Sequence, residues 1–274
     1  MTDFDVYYYG IPIIIALITG EFIYSYINKK DFYKKEDSLA TMGLLAGNVT
    51  VSLLTKGTIF LLYVYFYQFR LITINDLLPI WAVWILTFVA IDFVYYWYHR
   101  CSHRVRFLWA VHMNHHSSEE MNYVVSLRQA WFGPITKIPF FVSLPLIGFD
   151  PIITLVAGVA STLWGVLGHT QWIDKLGPLE YIFVTPSSHR VHHGSNDCYL
   201  DKNYGNFLII WDRVFGTFAK EQEKVTYGIR ENVKTFNPFK ITFRVWFQIA
   251  EDFTKSKTLK NKLLSIFGRP EWKP

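Results

Sequence analysis

Three long apolar runs constrain this chain more than any other feature of its sequence. They cover residues 7–27, about 44–68 and 78–98, and each contains a single charged residue. Each run is long enough to cross a hydrocarbon core of roughly 30 Å as a helix. Two shorter apolar runs, about 135–147 and 151–169, predict a helical hairpin. The sequence therefore predicts an all-α integral membrane protein with four or five transmembrane or re-entrant helices.

The composition agrees with this class. The chain is 51% hydrophobic, 18% aromatic and 18% charged, whereas an average soluble domain is about 25% charged. Such a composition excludes a disordered chain, which would be poor in aromatic residues. Two cysteines in 274 residues exclude a disulfide scaffold. The first five residues are acidic, where a secretory signal would be basic.

The distribution of lysine and arginine predicts the orientation in the membrane. The connection 28–43 carries four lysines, whereas the connection 69–77 carries only Arg70. Because cytoplasmic connections are enriched in basic residues, we expect 28–43 to be cytoplasmic. Alternation across the membrane then places residues 99–130 and about 170–274 on the same side.

These assignments divide the chain into two regions. Residues 1–98 form the N-terminal transmembrane helices, and residues 99–274 form a catalytic region with a cytoplasmic helical cap. The catalytic region includes the membrane hairpin, 135–169, and a basic amphipathic tail. In the tail, an apolar stripe at helical spacing predicts that residues 239–267 lie against the cytoplasmic membrane face. The stripe consists of Phe239, Phe243, Trp246, Ala250 and Phe253.

All nine histidines fall in two short windows of the sequence. Within each window the spacings are three or four residues, so on helices each group projects from one face. The last group has its own helix start, with Thr185 as N-cap and Pro186 at the first position, and Gly194 as a stop. The candidate ligands are His99, His103, His112, His115, His116, His169, His189, His192 and His193.

Nine clustered imidazoles predict a metal centre. Imidazole suits iron, zinc, copper or nickel, and one ion cannot use eight or nine of these ligands, so the sequence predicts two ions. The sequence contains no Glu-x-x-His pair, which argues against the carboxylate-bridged di-iron bundle. It contains no His-Glu-x-x-His motif, which excludes the metalloprotease interpretation.

The position of the histidines relative to the membrane favours an oxygenase. His99 and His103 follow the third apolar run, and His169 ends the last one. A metal transporter would carry its ligands near the bilayer midplane. Here the ligands collect at the cytoplasmic surface, within reach of a lipid. An unactivated C–H bond is too weakly acidic for a general base, so its conversion requires an oxidant such as O2.

The histidine motifs resemble those of the fatty acid hydroxylase/sterol desaturase superfamily of membrane di-iron enzymes. The similarity runs from about Asp92 to Phe218 and includes Asp92-Phe-Val-Tyr-Tyr-Trp-Tyr-His99-Arg. Within the superfamily, three segments are most similar to the alkylglycerol monooxygenase branch. They are Leu127-Arg128-Gln129, Thr185-Pro186-Ser-Ser-His189-Arg-Val-His-His-Gly and Asp201-Lys-Asn-Tyr204-Gly205.

The resemblance implies a lipid monooxygenase with two iron ions. Zinc or nickel can replace the iron during purification. The resemblance further implies that O2 and a membrane lipid are the substrates and that tetrahydrobiopterin is the reductant. It also implies attack at the carbon beside the ether oxygen of an alkylglycerol. No nucleic-acid partner is expected. Many relatives carry Glu directly after the second histidine of the first motif, where this chain has Arg104.

Two alternatives remain open at this stage. The first is a sterol or fatty-acyl hydroxylase or desaturase, including an ornithine-lipid hydroxylase, that receives electrons from a redox protein. The second belongs to another class and is a histidine-rich metal transporter.

Four other residues are candidates for the site. Asp92 lies two helical turns before His99 and is expected to orient its imidazole, or to make a helix–helix polar contact. The resemblance marks Tyr204 as functional, and both residues are candidate catalytic groups. Glu119 and Asn122 are candidate cofactor-binding residues, or part of a solvated loop.

Aromatic residues are expected to wall an apolar route from the membrane to the metals, because exposing a lipid chain to water costs roughly 0.8 kcal/mol per methylene. They are Phe93, Tyr95, Tyr96, Trp97, Phe140, Phe141 and Trp164.

Overall fold

The protein is described by a computed structural model that covers residues 6–274. In this part of the chain every secondary-structure element is a helix, which confirms the predicted all-α class. Two isolated antiparallel bridges join Phe183 to Leu208 and Gly194 to Tyr227. The α-helices are α1 (Val6–Ile27), α2 (Lys35–Tyr67), α3 (Ile74–Leu77), α4 (Ile80–Arg104), α5 (Arg106–His116), α6 (Gly133–Thr136), α7 (Ile138–Phe141), α8 (Ser143–Ile147), α9 (Pro151–Val166), α10 (Pro186–His192), α11 (Ile210–Val214), α12 (Pro238–Lys255) and α13 (Leu259–Phe267). Short 3-10 helices cover Val125–Leu127 and Gly177–Tyr181.

Three helices in residues 6–274 are long and apolar enough to cross a membrane: α1, α2 and α4. They contain the three predicted runs, but two of them are longer than predicted. Helix α2 begins at Lys35 rather than near residue 44, because its first turns bury Ala40 and Leu44 against the rest of the protein. Helix α4 continues to Arg104. The proposed region boundary at residue 98 therefore lies inside a continuous helix.

The predicted hairpin is formed by α6–α8 on one side and by α9 on the other. Its first arm is broken into short helices, and Pro139 and Pro145 lie within it. Asp150 caps α9 by accepting hydrogen bonds from the N–H groups of Ile152 and Ile153. At the tip, the N–H of Leu71 donates to the carbonyl of Leu146 at 2.9 Å. The hairpin therefore reaches the connection between α2 and α4 at the opposite end of the bundle.

One buried acid joins α1 to the rest of the molecule. The carboxylate of Glu21 is fully buried and accepts hydrogen bonds from the Tyr33 hydroxyl at 2.5 Å, from the Tyr123 N–H at 2.8 Å and from the Thr170 hydroxyl. In α1, only Glu21 and Ser25 are buried. The position of α1 beside the segments around residues 123 and 170 thus rests on polar contacts to Glu21.

The cap consists of α5, α12 and α13 together with the loops that carry α10 and α11. The Arg106 guanidinium at the start of α5 lies 2.5 Å from the Asp252 carboxylate of α12. The face of α12 that packs against α5 and α2 contains Ile241, Val245 and Ile249. It lies beside the predicted stripe rather than along it, because the stripe's Phe239 is 65% exposed.

The exposed apolar side of α12 lies beside the hairpin entrance. Phe239 packs against Trp131, and Phe243 packs against Trp131 and Phe132, which directly precede α6. Phe247 continues this side one turn further and is 70% exposed. The exposed apolar side of α12 therefore adjoins the segment that enters the apolar bundle, which is the position expected of an interfacial helix.

We predict that spin labels on α12 will report opposite environments on its two exposed sides. In a background with C101A and C198A, a label at F247C should be relaxed more by O2 than by a polar nickel chelate, since O2 partitions into lipid. A label at K255C, on the basic side, is the matched control and should show the reverse. The measurement is electron paramagnetic resonance of protein in lipid nanodiscs. Equal nickel accessibility at both positions would contradict an interfacial α12.

Candidate metal centre

All nine histidines come together at the junction of α4 with the cap. Their ring nitrogens form two groups, and in each group the candidate ligand atoms all lie within 4.8 Å of one another. The five-His group contains His99, His103, His112, His116 and His192. The four-His group contains His115, His169, His189 and His193.

Helices α5 and α10 each supply ligands to both groups. On α5, His112 and His116 belong to the five-His group and His115 to the four-His group. The neighbours His192 and His193 at the end of α10 divide in the same way. The rings of His116 and His193 stack with their centroids 4.3 Å apart. The two groups are therefore adjacent, as a dinuclear centre requires.

The helix start predicted for the last histidine motif is observed. Thr185 is the N-cap, and it forms a reciprocal capping box with Ser188, while Pro186 occupies the first helical position. Helix α10 ends with His193 as its C-cap residue. This short, well-capped helix presents all three imidazoles of the motif to the centre.

Distances between ring nitrogens fit ligands that share one ion. In the five-His group, Nε2 of His112 lies 2.9 Å from Nε2 of His99 and 3.1 Å from Nε2 of His116. In the four-His group, Nε2 of His169 lies 3.1 Å from that of His115 and 3.0 Å from that of His189. Ligands about 2.1 Å from an ion would be about 3.0 Å apart at right angles and about 3.4 Å apart in a tetrahedron. The observed separations are therefore short enough for the nitrogens of each group to bind one ion.

Two buried ring nitrogens support the same conclusion. Nε2 of His103 and Nε2 of His193 are both buried, and neither has a hydrogen-bond partner among residues 6–274. One belongs to each group. A buried polar atom without a partner is costly, and a metal ion at each group would satisfy both atoms.

Backbone carbonyls orient four of the imidazoles. The Nδ1–H of His99 donates to the carbonyl of Tyr204 at 2.7 Å, and that of His192 donates to the carbonyl of Lys202 at 2.9 Å. His169 donates to Gly165 at 2.8 Å, and His115 donates to Arg128 at 3.3 Å. Because a carbonyl oxygen only accepts, each bond fixes the proton on Nδ1 and leaves Nε2 free for a metal.

Burial keeps these imidazoles neutral. It is the largest cause that lowers the pKa of His192 and of His169, each to about 4. Burial, together with neighbouring imidazoles, places the pKa of His116 and of His193 well below the usual value. Metal ions bind neutral imidazole, so the environment favours the form that can act as a ligand.

The Asp92 carboxylate holds a loop and does not contact His99 in the described structure. It accepts hydrogen bonds from the N–H groups of Phe207 and Leu208 and from the indole of Trp211. His99 is oriented by the carbonyl of Tyr204 instead. The spacing of Asp92 and His99 predicted direct orientation of the imidazole, whereas the Asp92 carboxylate holds the loop that supplies this carbonyl.

Tyr204 lies beside the five-His group. Its ring centroid is 5.3 Å from that of His103 and 5.8 Å from that of His99. Its hydroxyl is buried near Arg104, and burial is the main cause that raises the pKa of Tyr204. The Arg104 guanidinium is 3.5 Å from the partly exposed Asp201 carboxylate.

The two candidate cofactor residues lie outside the metal groups. Glu119 is exposed. Asn122 is buried, its amide nitrogen donates to the carbonyl of Phe32, and its amide oxygen accepts the N–H of Val125. The neighbouring Glu120 is half-buried, and burial is the main cause that raises its pKa to about 7. The contacts of Asn122 are those of a residue that folds its own loop.

Buried ion pairs that sequence reasoning missed support the ligands. Arg128 is 1% exposed and pairs with Asp37 of α2 at 3.1 Å, while its carbonyl accepts from His115. Arg190 lies inside the last motif and pairs with Glu221 at 2.8 Å. No local pattern predicts these pairs, although an arginine between ligand histidines was a signal that Arg190 would be buried.

The aromatic residues expected to wall a route divide into separate contacts. Tyr95, Phe140 and Phe141 pack in one apolar cluster with residues of α2 and α9. Phe93 and Trp97 pack on Phe215 instead. Tyr96 also stacks on Phe215, and Trp164 packs on Phe207. Only the first set forms a surface between α4 and the hairpin.

Comparison with known proteins supplies a family for this segment. Residues 84–217 match the family model "Fatty acid hydroxylase". The chain is 38% identical over 265 residues to an alkylglycerol monooxygenase of Homo sapiens, covering 96% of this chain and 59% of the relative. It is 41% identical over 213 residues to that of Xenopus tropicalis, covering 77% and 47%. An ornithine lipid hydroxylase of Rhizobium tropici is 33% identical over 135 residues, covering 49% and 41%.

The chain spans about half the length of the curated relatives it matches. No solved structure matches it.

We predict that the D92N substitution will weaken metal binding at the five-His group. Loss of the carboxylate loosens the loop that supplies the Tyr204 carbonyl, and loss of such an outer contact typically costs about 10- to 100-fold in metal affinity. The iron content per chain is measured by mass spectrometry at increasing chelator concentrations. In D92N it should fall in two steps rather than one, because the five-His group would lose its iron first.

The control is D76N, because Asp76 is an exposed acid on α3. This variant should retain the wild-type chelator profile. An unchanged profile in D92N would show that the loop keeps its position without this carboxylate.

Proposed function

We propose that this chain, whose residues 84–217 match the fatty acid hydroxylase family model, is an O2-dependent di-iron monooxygenase that hydroxylates a membrane lipid. The observation that carries the proposal is the pair of adjacent histidine groups with ligand atoms within 4.8 Å of one another. The five-His group would hold one iron and the four-His group the other. Bound iron would supply the oxidising power that an unactivated C–H bond requires.

The donor set suits this chemistry. Both groups consist of neutral imidazoles, which suit iron and leave the centre cationic. The five-His group and the four-His group would each hold one ion, and imidazole ligands of this number would leave a coordination position open for O2. No carboxylate belongs to either group in residues 6–274, which separates this centre from the carboxylate-bridged di-iron bundle.

The protein's own residues have three roles in the proposed reaction. Backbone carbonyls keep four imidazoles in the tautomer that exposes Nε2. The Tyr204 ring lies beside the five-His group, and its buried hydroxyl would hold a proton near the centre. Burial of the imidazoles excludes bulk water from the reacting atoms.

We propose an ether lipid as the substrate because the chain is similar over most of its length to alkylglycerol monooxygenases. Hydroxylation beside the ether oxygen gives a hemiacetal, which collapses to an aldehyde and a free glycerol hydroxyl. The second candidate is a hydroxylase of another lipid, favoured by the similarity to an ornithine lipid hydroxylase. In both cases the active site faces the cytoplasm, as the basic connections indicate.

The electron donor differs between the two candidates. Two electrons must accompany each O2, and we propose reduced tetrahydrobiopterin for the ether-lipid reaction. A redox protein is the alternative donor. Arg104 stands beside Tyr204 at the partly exposed rim of the five-His group, so the donor would meet a positive charge there.

We predict that anaerobically purified protein loaded with ferrous iron will consume O2 and release a fatty aldehyde when given 1-O-hexadecylglycerol and reduced tetrahydrobiopterin. H103A and H193A each remove one candidate ligand from a different group. Both should lose more activity than the roughly 10- to 100-fold that an outer contact is worth.

Zinc-loaded protein is the matched control, because zinc occupies histidine sites without redox chemistry. It should bind metal and produce no aldehyde. Aldehyde formation only with a reduced ferredoxin would favour the second donor, and iron binding with no oxidation of any lipid would contradict the proposed function.

A further inference from the structure

A lysine lies between α4 and the hairpin, inside the apolar part of the molecule. Lys137 joins α6 to α7, and its Nζ lies 5.9 Å from the ring centroids of both Tyr95 and Tyr98 of α4. This distance is within the range of cation–π attraction. The ammonium group thus sits against the faces of two tyrosines.

The charge of Lys137 has no oxygen partner in residues 6–274. No hydrogen bond or ion pair of its side chain is formed there, and the hydroxyl of Tyr98 is engaged with Thr136 instead. Aromatic faces replace only part of the hydration that an ammonium group loses on burial. An anionic oxygen group brought by a ligand would give this charge the oxygen partner that the described residues do not provide.

The side chains near Lys137 are apolar, and one of them contacts the metal centre. Tyr95, Phe140 and Leu155 come from α4, α7 and α9, and each is only partly buried although all pack on the same apolar cluster. The Tyr95 ring centroid lies 5.2 Å from that of His99. A single tyrosine ring thus separates the ammonium group from a member of the five-His group.

We propose that Lys137 binds the anionic headgroup oxygens of the lipid substrate and so selects lipids that carry a phosphate or a carboxylate. The inference rests on the proposed lipid oxygenation and names the headgroup chemistry of its substrate. With the headgroup at Lys137, the first carbons of the lipid lie over Tyr95 toward His99, and the remaining chain follows the apolar cluster. Oxidation then falls near the headgroup rather than at the far end of the chain.

The position of Lys137 distinguishes it from Lys56, the other lysine that interrupts an apolar run. Lys56 lies in the middle of α2, but it is exposed on the outer surface of that helix. It has no contact with α4 or with the histidine groups among the described interactions. K56M is therefore a matched control, since it removes a lysine from a membrane helix without touching the proposed headgroup site.

Binding tests the inference without requiring turnover. Iron-loaded protein in mild detergent is titrated with hexadecyl phosphate, hexadecanoate or hexadecanol, and bound lipid is counted by native mass spectrometry. We expect at least about tenfold tighter binding of an anionic lipid than of hexadecanol, as a charge-assisted hydrogen bond provides. Comparison of the affinities for hexadecyl phosphate and hexadecanoate shows whether a phosphate or a carboxylate is preferred.

The preference should disappear in K137M, which keeps an unbranched side chain of similar length, and remain in K137R and K56M. Iron content equal to wild type in K137M would show that the centre is intact. Equal preference for the anionic lipid in K137M and wild type would overturn the inference, as would wild-type protein with no preference.

Kinetics separates this inference from the proposed function. The KM for 1-O-hexadecylglycerol 3-phosphate should rise about tenfold or more in K137M, whereas the KM for uncharged 1-O-hexadecylglycerol should stay unchanged. Oxidation of both lipids with unaltered KM in K137M would overturn the role of Lys137 and leave the monooxygenase proposal standing. Lipid binding that depends on Lys137, without oxidation of either lipid, would support the role of Lys137 and overturn the monooxygenase proposal.

Discussion

The hydrogen bonds from Nδ1–H groups to backbone carbonyls are the constraint on which the rest of this structure depends. Each one fixes the tautomer of an imidazole and aims its Nε2 at a common point. The accepting carbonyls belong to Gly165 in α9, to Arg128 after α5, and to Lys202 and Tyr204 in the loop before α11. The centre therefore exists only when the apolar helix α9 and two separate loops are in place together.

Buried polar groups hold those segments in position. Asp92 of α4 binds the N–H groups of residues 207 and 208, while Asp212 binds the N–H groups of Tyr204 and Gly205. Arg128 is paired with Asp37, and removing one partner of such a buried pair typically costs about 3–5 kcal/mol. These buried acids thus support the geometry of the metal centre, although they are not themselves among the grouped ligands.

The histidines were predictable from sequence because their spacing places them on helical faces, whereas their division into two groups was not. His115 and His116 are adjacent in sequence but belong to different groups, which depends on how α5 packs against α4, α9 and α10. Similarly, the hydrogen-bond partners of Asp92 are far from it in the sequence, and Phe207, the nearest of them, lies 115 positions away. The apolar stripe in the sequence of α12 predicts a helix, but it does not predict which face is buried. That face, with Ile241, Val245 and Ile249, is determined by the contacts with α5 and α2.

Helix α4 joins the membrane to the reaction site. The same uninterrupted helix crosses the apolar bundle, carries Asp92 and Tyr95, and ends with His99 and His103 as members of the five-His group. A lipid that moves along the α4–hairpin surface would reach His99 without passing through water. Exposing a chain of a dozen methylenes instead would cost on the order of 10 kcal/mol, at roughly 0.8 kcal/mol for each methylene. The continuity of α4 beyond the predicted end of its apolar run would therefore allow a buried centre in the cap to act on the proposed lipid substrate while that lipid remains in the membrane.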